Sequence, residues 1–427
     1  MQPRPFRQLS SLAVSAALLA SAAPYIEAAQ SPDTVAAATT PGVSGWNEFV
    51  DNLRDLPGRL LAKLPVAMRN DPQVQQEVGR LALAALTSSS LDALGSDGDY
   101  PTFLPSTGEV LNVGQPNADT VYRMARITPG GTYRLRGRRG SLRIANIGQV
   151  AATPGPTRVY DDLNALKMDD QGRFDVILSP ERPDGYTGDW WQLEPTTARL
   201  LLRLVKDDWR QEQDPTLSIE RVDRPMSRGR TSAATLEQRL HDLPAATNFI
   251  AMLFVDHVEQ LRAQGYVNKL KVLDVSQTGG LTGQFYYEGA YDLQDDEALI
   301  IEARVPQKCV YHSMILTNEI YETTNWYDNF SSLNDSQSPP DADGILRVVV
   351  SAHDPGVPNW LDTAGYAQGL VQGRWTHCSE QPIPGVRKIR LADVRKSLPA
   401  STGTTTAEGR DRTLRERRAL LQQRPLW

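Results

Sequence analysis

Residues 311–337 are the stretch of the chain richest in side chains that can bind or transform a small molecule. Aromatic rings occur there together with amides and carboxylates, a mixture typical of pockets for sugars, sterols or aromatic compounds. Trp326, Asn334 and Gln337 are the candidate ligand-binding residues of this stretch. The alternative is a long surface loop whose aromatic side chains pin it to a sheet, and the sequence favours neither interpretation.

The same stretch holds four side chains that can exchange protons, namely His312, Tyr321, Glu322 and Asp328. General acid–base catalysis requires such groups to converge on one reacting bond. They are therefore the candidate catalytic residues of a hydrolase, lyase or isomerase that needs no cofactor. Closeness along a loop does not establish convergence, so this interpretation has the thinner support.

Two further candidate ligand-binding residues, Asn359 and Trp360, lie in the turn-rich segment over residues 354–365. Asparagine side chains hydrogen-bond the backbone in such turns, so a structural role is favoured for this segment. Arg374 follows it and carries a planar fork suited to a carboxylate or sulfate on a ligand.

Asn117 and Tyr122 raise the same question in the first half of the chain. They open a β-prone run, where a turn cap explains the asparagine as well as a binding role does. If both halves share one pocket, these two side chains must face Trp326 or Trp360 across a cleft.

Composition and motifs argue against several classes of function. A net charge of −6 is unlike a broad nucleic-acid surface, because phosphate binding needs clustered positive charge. Two cysteines cannot form a four-thiolate zinc site, and the five histidines are scattered. The sequence contains no nucleophile elbow, zinc-protease motif, phosphate loop or dinucleotide-binding motif. We therefore expect no metal, no cofactor and no nucleic-acid partner.

The first residues have the pattern of an export signal. Arg4 and Arg7 precede a short apolar run that ends in small residues, which predicts a signal peptide over residues 1–22. The alternative is a retained membrane anchor, but a spanning helix needs roughly 20 apolar residues. We expect cleavage, a flexible leader over residues 23–45, and an exported protein, periplasmic or secreted, with no integral membrane segment.

Cys309 and Cys378 have two possible states in an exported protein. An oxidising compartment allows them to form one disulfide. Two buried thiols that pack as small hydrophobic side chains are equally compatible with the sequence.

Hydrophobic periodicity divides the rest of the chain into helical and strand-rich parts. It predicts a helical subdomain over 46–99, with Asp71 and Pro72 starting its main helix, and a helical connector over 232–278. Strand-rich patterns cover 100–231 and 279–396, and a linker and terminal helix cover 397–427. The runs at 121–127, 132–136 and 141–147 are joined by short loops, which predicts an antiparallel meander.

Several separated motifs resemble one bacterial family. DGILRVVVSAHDPGVPNWLDTAGYAQGLVQGRW over 343–375 is similar to the signature of the family called domain of unknown function 1214. Residues 295–318, SSLNDSQ at 331–337 and LADVRKSLPA at 391–400 resemble the same family in the same order. PNADTVYRMARI at 116–127 resembles, more loosely, the start of domain of unknown function 1254.

This resemblance implies architecture rather than activity. It implies a helical segment, an immunoglobulin-like β-sandwich and a C-terminal jelly-roll-like β-sandwich, so we expect a mainly β protein with helical segments. The family offers no settled activity to transfer. Two positions depart from its pattern: His312 stands where an aromatic residue is usual, and Tyr366 where histidine is common.

The residues favour a protein that binds a small hydrophobic or glycan-like ligand between β-sandwiches. The cofactor-free enzyme is the first alternative, and a scaffold protein of the cell envelope is the second.

Overall fold

The computed structural model describes residues 42–151, 159–275, 281 and 283–424. The predicted signal peptide over 1–22 and most of the predicted leader over 23–45 lie outside the described residues. The helices are α1 (Trp46–Ala62), α2 (Val66–Arg69), α3 (Pro72–Gly95), α4 (Ala233–Met252), α5 (His257–Ala263), α6 (Val394–Ser397) and α7 (Ala407–Gln422).

The strands fall into two groups along the chain. The first group is β1 (Leu104–Thr107), β2 (Thr120–Arg126), β3 (Tyr133–Arg138), β4 (Ile144–Ala151), β5 (Tyr160–Asp162), β6 (Arg173–Ser179), β7 (Asp189–Gln192), β8 (Thr197–Val205) and β9 (Thr216–Arg221). The second group is β10 (Lys271–Leu273), β11 (Gln284–Asp292), β12 (Glu297–Arg304), β13 (Tyr311–Thr317), β14 (Ser332–Asn334), β15 (Ile345–Ser351), β16 (Trp360–Asp362), β17 (Gln368–Thr376) and β18 (Gly385–Arg390).

The helices α1, α3 and α4 pack together around an apolar core. Asp71 caps α3 by accepting a hydrogen bond from the backbone of Gln73, and Pro72 occupies the first turn, as the sequence predicts. Val78 of α3 and Leu60 of α1 are among the side chains buried in this core. The segment predicted as a helical connector is helical as far as Ala263 and then supplies β10 to the second sandwich.

The first group of strands forms a β-sandwich. One sheet has the order β1-β2-β8-β4-β5 and the other has the order β7-β6-β3-β9. Apolar side chains from both sheets, among them Leu135, Ile147 and Leu202, fill the space between them.

The predicted meander is wrong. The strands β2 and β4 both pair with β8, and β3 belongs to the opposite sheet. Strands on either sheet of a sandwich bury one face, so they show the same alternation of apolar and polar residues. Periodicity therefore identifies these strands but does not identify their partners.

The second group of strands forms another sandwich. Its sheets have the orders β10-β11-β17-β13-β14 and β16-β15-β12-β18, with a buried apolar core between them. A disulfide between Cys309 and Cys378 ties the chain before β13 to the chain after β17. The prediction of a mainly β protein with two β-sandwiches and helical segments is confirmed.

The two sandwiches contact each other through the outer face of one sheet from each. Ile144 of β4 and Val205 of β8 pack against Tyr311 of β13. Within the described part of the chain, no helix combines the length and the apolar character that crossing a bilayer requires.

Candidate ligand site between the two sandwiches

Strand alternation turns one charged side chain of the first sandwich toward the second. Leu200, Leu202 and Leu204 of β8 point into the core of their own sandwich. Arg203 lies on the opposite face, across from Tyr122 of β2. An apolar strand therefore carries one arginine to the interface.

In the second sandwich, strand β17 likewise carries an arginine on its outward face. Val371 and Trp375 point into its core, so Gln372, Arg374 and Thr376 lie on the face that the sandwich turns outward. All three side chains are buried there, and Arg374 is only 4% exposed. The outward face of this sheet is therefore polar and covered.

Arg374 is held by one amide and one aromatic ring. Its Nη2 donates a hydrogen bond to Oε1 of Gln372 at 2.8 Å. Its guanidinium carbon lies 5.4 Å from the ring centroid of Tyr286, the cross-strand neighbour on β11. Its Nε is buried without a hydrogen-bond partner among the described residues.

Arg203 approaches the same tyrosine from the first sandwich. Burial acts to lower the pKa of its guanidinium, while Tyr160, Tyr286 and Tyr122 act to raise it. Its guanidinium carbon lies 5.8 Å from the ring centroid of Tyr122 and 5.7 Å from that of Tyr160. Its Nε is also buried without a hydrogen-bond partner in the described chain. Two guanidinium groups therefore meet around Tyr286.

Among the described residues, neither Arg203 nor Arg374 is paired with a carboxylate. The buried Arg424, by contrast, is bonded to Asp214 at 2.6 Å. Removing an ion from water costs several kcal/mol unless a counter-charge and hydrogen bonds compensate it. Burial acts to lower the pKa of Arg374, while nearby tyrosines and Asp119 act in the opposite direction without a direct ion pair.

Two hydroxyl groups beside Arg374 also have unused hydrogen-bonding capacity. Ser313 of β13 is its other cross-strand neighbour, and Thr376 follows two residues later on the same face. Both side chains are buried, and neither hydroxyl has a hydrogen-bond partner within the described residues. Buried polar groups without partners are uncommon and mark places where a water or a ligand binds.

A fully bonded network forms one wall of this interface. Asn117 donates to the hydroxyl of Tyr311 at 2.8 Å, and that hydroxyl donates to Asp119 at 2.6 Å. Asn334 and Trp209 donate to the other oxygen of Asp119 at 2.8 and 2.7 Å. Burial raises the pKa of Asp119, while these hydrogen bonds act in the opposite direction. The network connects the two sandwiches.

Four of the predicted ligand-binding residues meet at this interface. Asn117 and Tyr122 come from the first sandwich, and Asn334 and Arg374 come from the second. The first two face Tyr311 and the arginines rather than Trp326 or Trp360. Both halves of the chain thus contribute to one polar layer, but the facing residues differ from those expected.

Trp326 and Gln337 lie at the edge of this contact and are occupied by the terminal helix. Trp326 packs with Trp209 and with Leu421 of α7. Gln337 accepts a hydrogen bond from Arg417 of the same helix at 2.8 Å. Most of the stretch over 311–337 is therefore buried, and the ring of Trp326 is covered by protein.

Asn359 and Trp360 lie elsewhere, at the β16 edge of the second sandwich. Asn359 donates to the backbone oxygen of Arg347 at 3.1 Å, the structural role that its turn favours. Trp360 lies beside Phe330 and under the guanidinium of Arg410, 5.1 Å from the ring centroid. Neither side chain contributes to the interface between the sandwiches.

The four candidate catalytic residues do not converge. His312 points into the core of the second sandwich, where its ring contacts Trp375 with centroids 5.1 Å apart. Burial lowers the pKa of His312 to about 4, so the imidazole is neutral at pH 7. Tyr321 is the one of the four that reaches the polar layer, through a 3.4 Å hydrogen bond from Gln372.

The two carboxylates of this set point away from the layer. Glu322 is paired with Arg80 of α3 at 2.5 Å and accepts a hydrogen bond from Asn318. Burial raises the pKa of Glu322, while Arg80 acts to lower it. Asp328 is exposed and pairs with Arg418 of α7. No reacting bond can lie within reach of all four side chains.

Sequence reasoning did not single out four residues of the site region. Arg203 and Tyr286 lie at the interface, and His257 and Glu288 lie where α5 packs against β11. A usable signal exists for two of them. Arg203 interrupts the apolar run of β8, and Glu288 interrupts the aromatic and small residues of β11. A charged residue within a buried strand is rare unless it has a partner or a function.

No group of three or more histidine, cysteine, aspartate or glutamate side chains in the described part of the chain is arranged to hold a metal ion. The interface carries arginine, tyrosine, hydroxyl and amide groups and the carboxylate of Asp119.

Comparisons with known proteins give a similar fold without an activity. No family model matches the chain, and no curated protein matches it. An uncharacterised protein from Burkholderia cenocepacia has a similar crystal structure, with a TM-score of 0.75 and 27% identity over 82% of this chain and 98% of that one. The VPA0106 protein from Vibrio parahaemolyticus, at 10% identity, aligns with a TM-score of 0.44 over 80% of this chain and all of that one. The chain is thus similar in fold to the Burkholderia protein.

Proposed function

We propose that this protein binds a small anionic molecule between its two sandwiches, with Arg374 and Arg203 holding the carboxylate or sulfate of the ligand. The observation that carries the proposal is the pair of guanidinium groups, one from each sandwich, that lack an ion-pair partner among the described residues. An anion from outside the chain supplies the missing charge. Arginine suits this role because its fork binds carboxylate and sulfate through two hydrogen bonds.

The side chains around the two arginines indicate the rest of the ligand, apart from its acidic group. The rings of Tyr122, Tyr160 and Tyr286 surround the arginines and suit a flat apolar or aromatic group. The free hydroxyls of Ser313 and Thr376 suit a hydroxyl or carbonyl oxygen. These groups support an aromatic or hydroxylated compound with an acidic group, which refines the small hydrophobic or glycan-like ligand expected from the sequence.

Export and family membership are further parts of this proposal. The pattern over residues 1–22 supports export, and the Cys309–Cys378 disulfide is of a kind that persists in oxidising compartments. The ordered motifs over residues 295–400 support membership of the family called domain of unknown function 1214.

The test is a retention experiment with the purified protein. It is incubated with a bacterial small-molecule extract, and the compounds that stay bound are identified by mass spectrometry. We expect retained compounds to carry a carboxylate or sulfate, and Arg374→Gln and Arg203→Gln to bind them at least about 10-fold more weakly, because a charge-assisted hydrogen bond is lost. Arg136→Gln is the matched control, because Arg136 pairs with Glu220 on the other sheet of the first sandwich.

Two results would overturn the binding proposal. One is the retention of no compound by the folded wild-type protein, which would favour the scaffold interpretation. The other is an unchanged Kd for the retained compounds in Arg374→Gln and Arg203→Gln, with both variants folded as judged by circular dichroism.

A further inference from the structure

A histidine–carboxylate pair shares the face of the sheet that carries Arg374. Glu288 follows two residues after Tyr286 on β11 and is fully buried. Both of its carboxylate oxygens lie within hydrogen-bond distance of Nε2 of His257, at 3.0 and 3.1 Å. His257 is the first residue of α5, which packs against β11.

The carboxylate fixes the orientation and tautomer of the imidazole. Because Glu288 accepts a hydrogen bond from Nε2–H of His257, Nδ1 is the nitrogen left to accept a proton. The described residues offer Nδ1 no hydrogen-bond partner. The side chain of His257 is 17% exposed, so the imidazole is not sealed in the protein. A buried carboxylate that orients a histidine in this way is the arrangement of a general base.

Tyr321 links this pair to Arg374. Its ring lies 5.0 Å from that of His257, centroid to centroid. Its hydroxyl accepts a hydrogen bond from Nε2 of Gln372 at 3.4 Å, and Oε1 of Gln372 accepts one from Arg374 at 2.8 Å. Gln372 is also the cross-strand partner of Glu288. Arg374 is two residues further along β17, about 7 Å away.

The backbone of Tyr321 is unusual for its residue type. Its φ is +67°, a left-handed conformation that costs a bulky residue of the order of 1 kcal/mol. The side chain of Asn318 imposes the turn, since its Oδ1 accepts hydrogen bonds from the backbone of Ile320 and Glu322. Strain of this kind is retained where the side chain that it directs has a use.

We propose that His257 is the general base of a proton-transfer reaction, oriented by Glu288, on a carboxylate compound whose anionic end is held by Arg374. This inference rests on the proposed function, because the anion site supplies the position of the substrate. It assigns the substrate class as carboxylic acids with an acidic C–H bond next to a carbonyl, and it makes the protein an isomerase.

The step requires no oxidant, reductant or second substrate. Nδ1 of His257 takes the proton from the carbon next to the carbonyl. The C–H electron pair becomes the C=C bond of an enolate, and the carbonyl π pair moves to oxygen. The imidazolium then returns its proton to that oxygen, which gives the enol, and the net change is a keto–enol tautomerisation. Tyr321 lies between His257 and Gln372, and Glu288 is a positioning residue.

The alternative is that the pair only fastens α5 to the sheet. In that case a variant of either residue changes stability and nothing else. If His257 is catalytic, replacing it lowers kcat and leaves KM unchanged. Proton transfer is then slower, while the anion site still holds the substrate.

The probe is phenylpyruvate, which has a carboxylate, an aromatic ring and an acidic methylene group. Loss of its methylene proton signal in deuterated water is followed by NMR, and its binding is measured by calorimetry. We expect the wild-type protein to accelerate exchange at least about 100-fold over buffer. His257→Gln should abolish this acceleration with Kd unchanged, and Glu288→Gln should lower kcat with KM unchanged.

Two further variants, Arg374→Gln and His241→Gln, are measured in the same way. The first should raise Kd, and the second is a matched control because His241 lies on the exposed face of α4 beside Glu48. Exchange by the wild-type protein no faster than buffer, or exchange by a folded His257→Gln equal to wild type, would overturn this inference.

Failure of phenylpyruvate to bind would also overturn it, because the assigned substrate class would be wrong. The binding proposal is decided separately, by the retention experiment. If the protein retains anionic compounds but does not accelerate the exchange of phenylpyruvate, it is a binding protein without this activity.

Discussion

Arg374 is a buried charge whose cost to the fold the proposed ligand would offset. It is 4% exposed, yet it has one amide contact, one aromatic contact and no carboxylate partner in the described chain. A charge in this position reduces the stability of the empty protein. Such a residue persists when a ligand compensates the charge.

The first prediction concerns this cost. We expect Arg374→Met to raise the free energy of unfolding of the ligand-free protein by about 1 kcal/mol, because methionine fills the space without a buried charge. Urea denaturation followed by tryptophan fluorescence measures the change. A loss of 2 kcal/mol or more, on the order of a buried structural contact, would instead make Arg374 a support of the fold.

His312 gives a second prediction at the residue scale, on acid stability. Burial lowers its pKa from the usual 6.5 to about 4, so the unfolded chain binds a proton between these pH values and the folded chain does not. Stability should therefore fall as the pH drops from about 6.5 to about 4, by about 3 kcal/mol in total from this group.

His312→Phe should remove this part of the pH dependence, since the ring beside Trp375 then carries no titrating group. Stability measured by urea denaturation at several pH values from 4 to 7 provides the test, with the exposed His353 changed to Gln as the control. An equally steep loss of stability in His312→Phe would show that other groups cause it.

At the scale of elements, the terminal helix α7 joins the two sandwiches. Arg417 lies 4.7 Å from the ring centroid of Trp209 in the first sandwich and donates to the backbone oxygen of Ser332 in the second at 3.0 Å. Leu421 is buried between Trp209 and Trp326. The helix therefore stabilises the contact that contains the proposed site.

The third prediction concerns this helix. Leu421→Ala should lower the free energy of unfolding by about 3 kcal/mol, because it leaves a cavity between two tryptophans. The matched variant is Leu414→Ala, on the same helix but only partly buried, and its effect should be smaller. Chemical denaturation measures both, and equal effects would contradict the docking of α7 through Leu421.

The elements also show which structural features a sequence can predict. Asp71 and Pro72 start α3 as expected, because a cap and a first-turn proline act locally. Strand positions were predictable for the same reason, since alternation is local. Pairing was not, because β8, the strand between β2 and β4, lies more than 45 residues after β4 in the chain.

At the scale of the whole molecule, the site could be predicted only in part. The chemistry of Arg374 and Tyr122 makes them candidates from the sequence alone, and they meet at the interface because their sheets face each other. The sequence does not single out Arg203 and Glu288, because their surroundings depend on how the sheets and helices pack. The sequence carries that information only through long-range packing, which residue spacing does not reveal.

The position of α7 in the chain has a consequence for how the protein matures. Because α7 follows both sandwiches, it is synthesised after them, and its contacts at Arg417 and Leu421 form last. A nascent chain, or one cut before residue 407, lacks the contacts of α7 that join the two sandwiches. We therefore expect cleavage in the linker over 397–406 to weaken binding at the proposed site without altering Arg203 or Arg374.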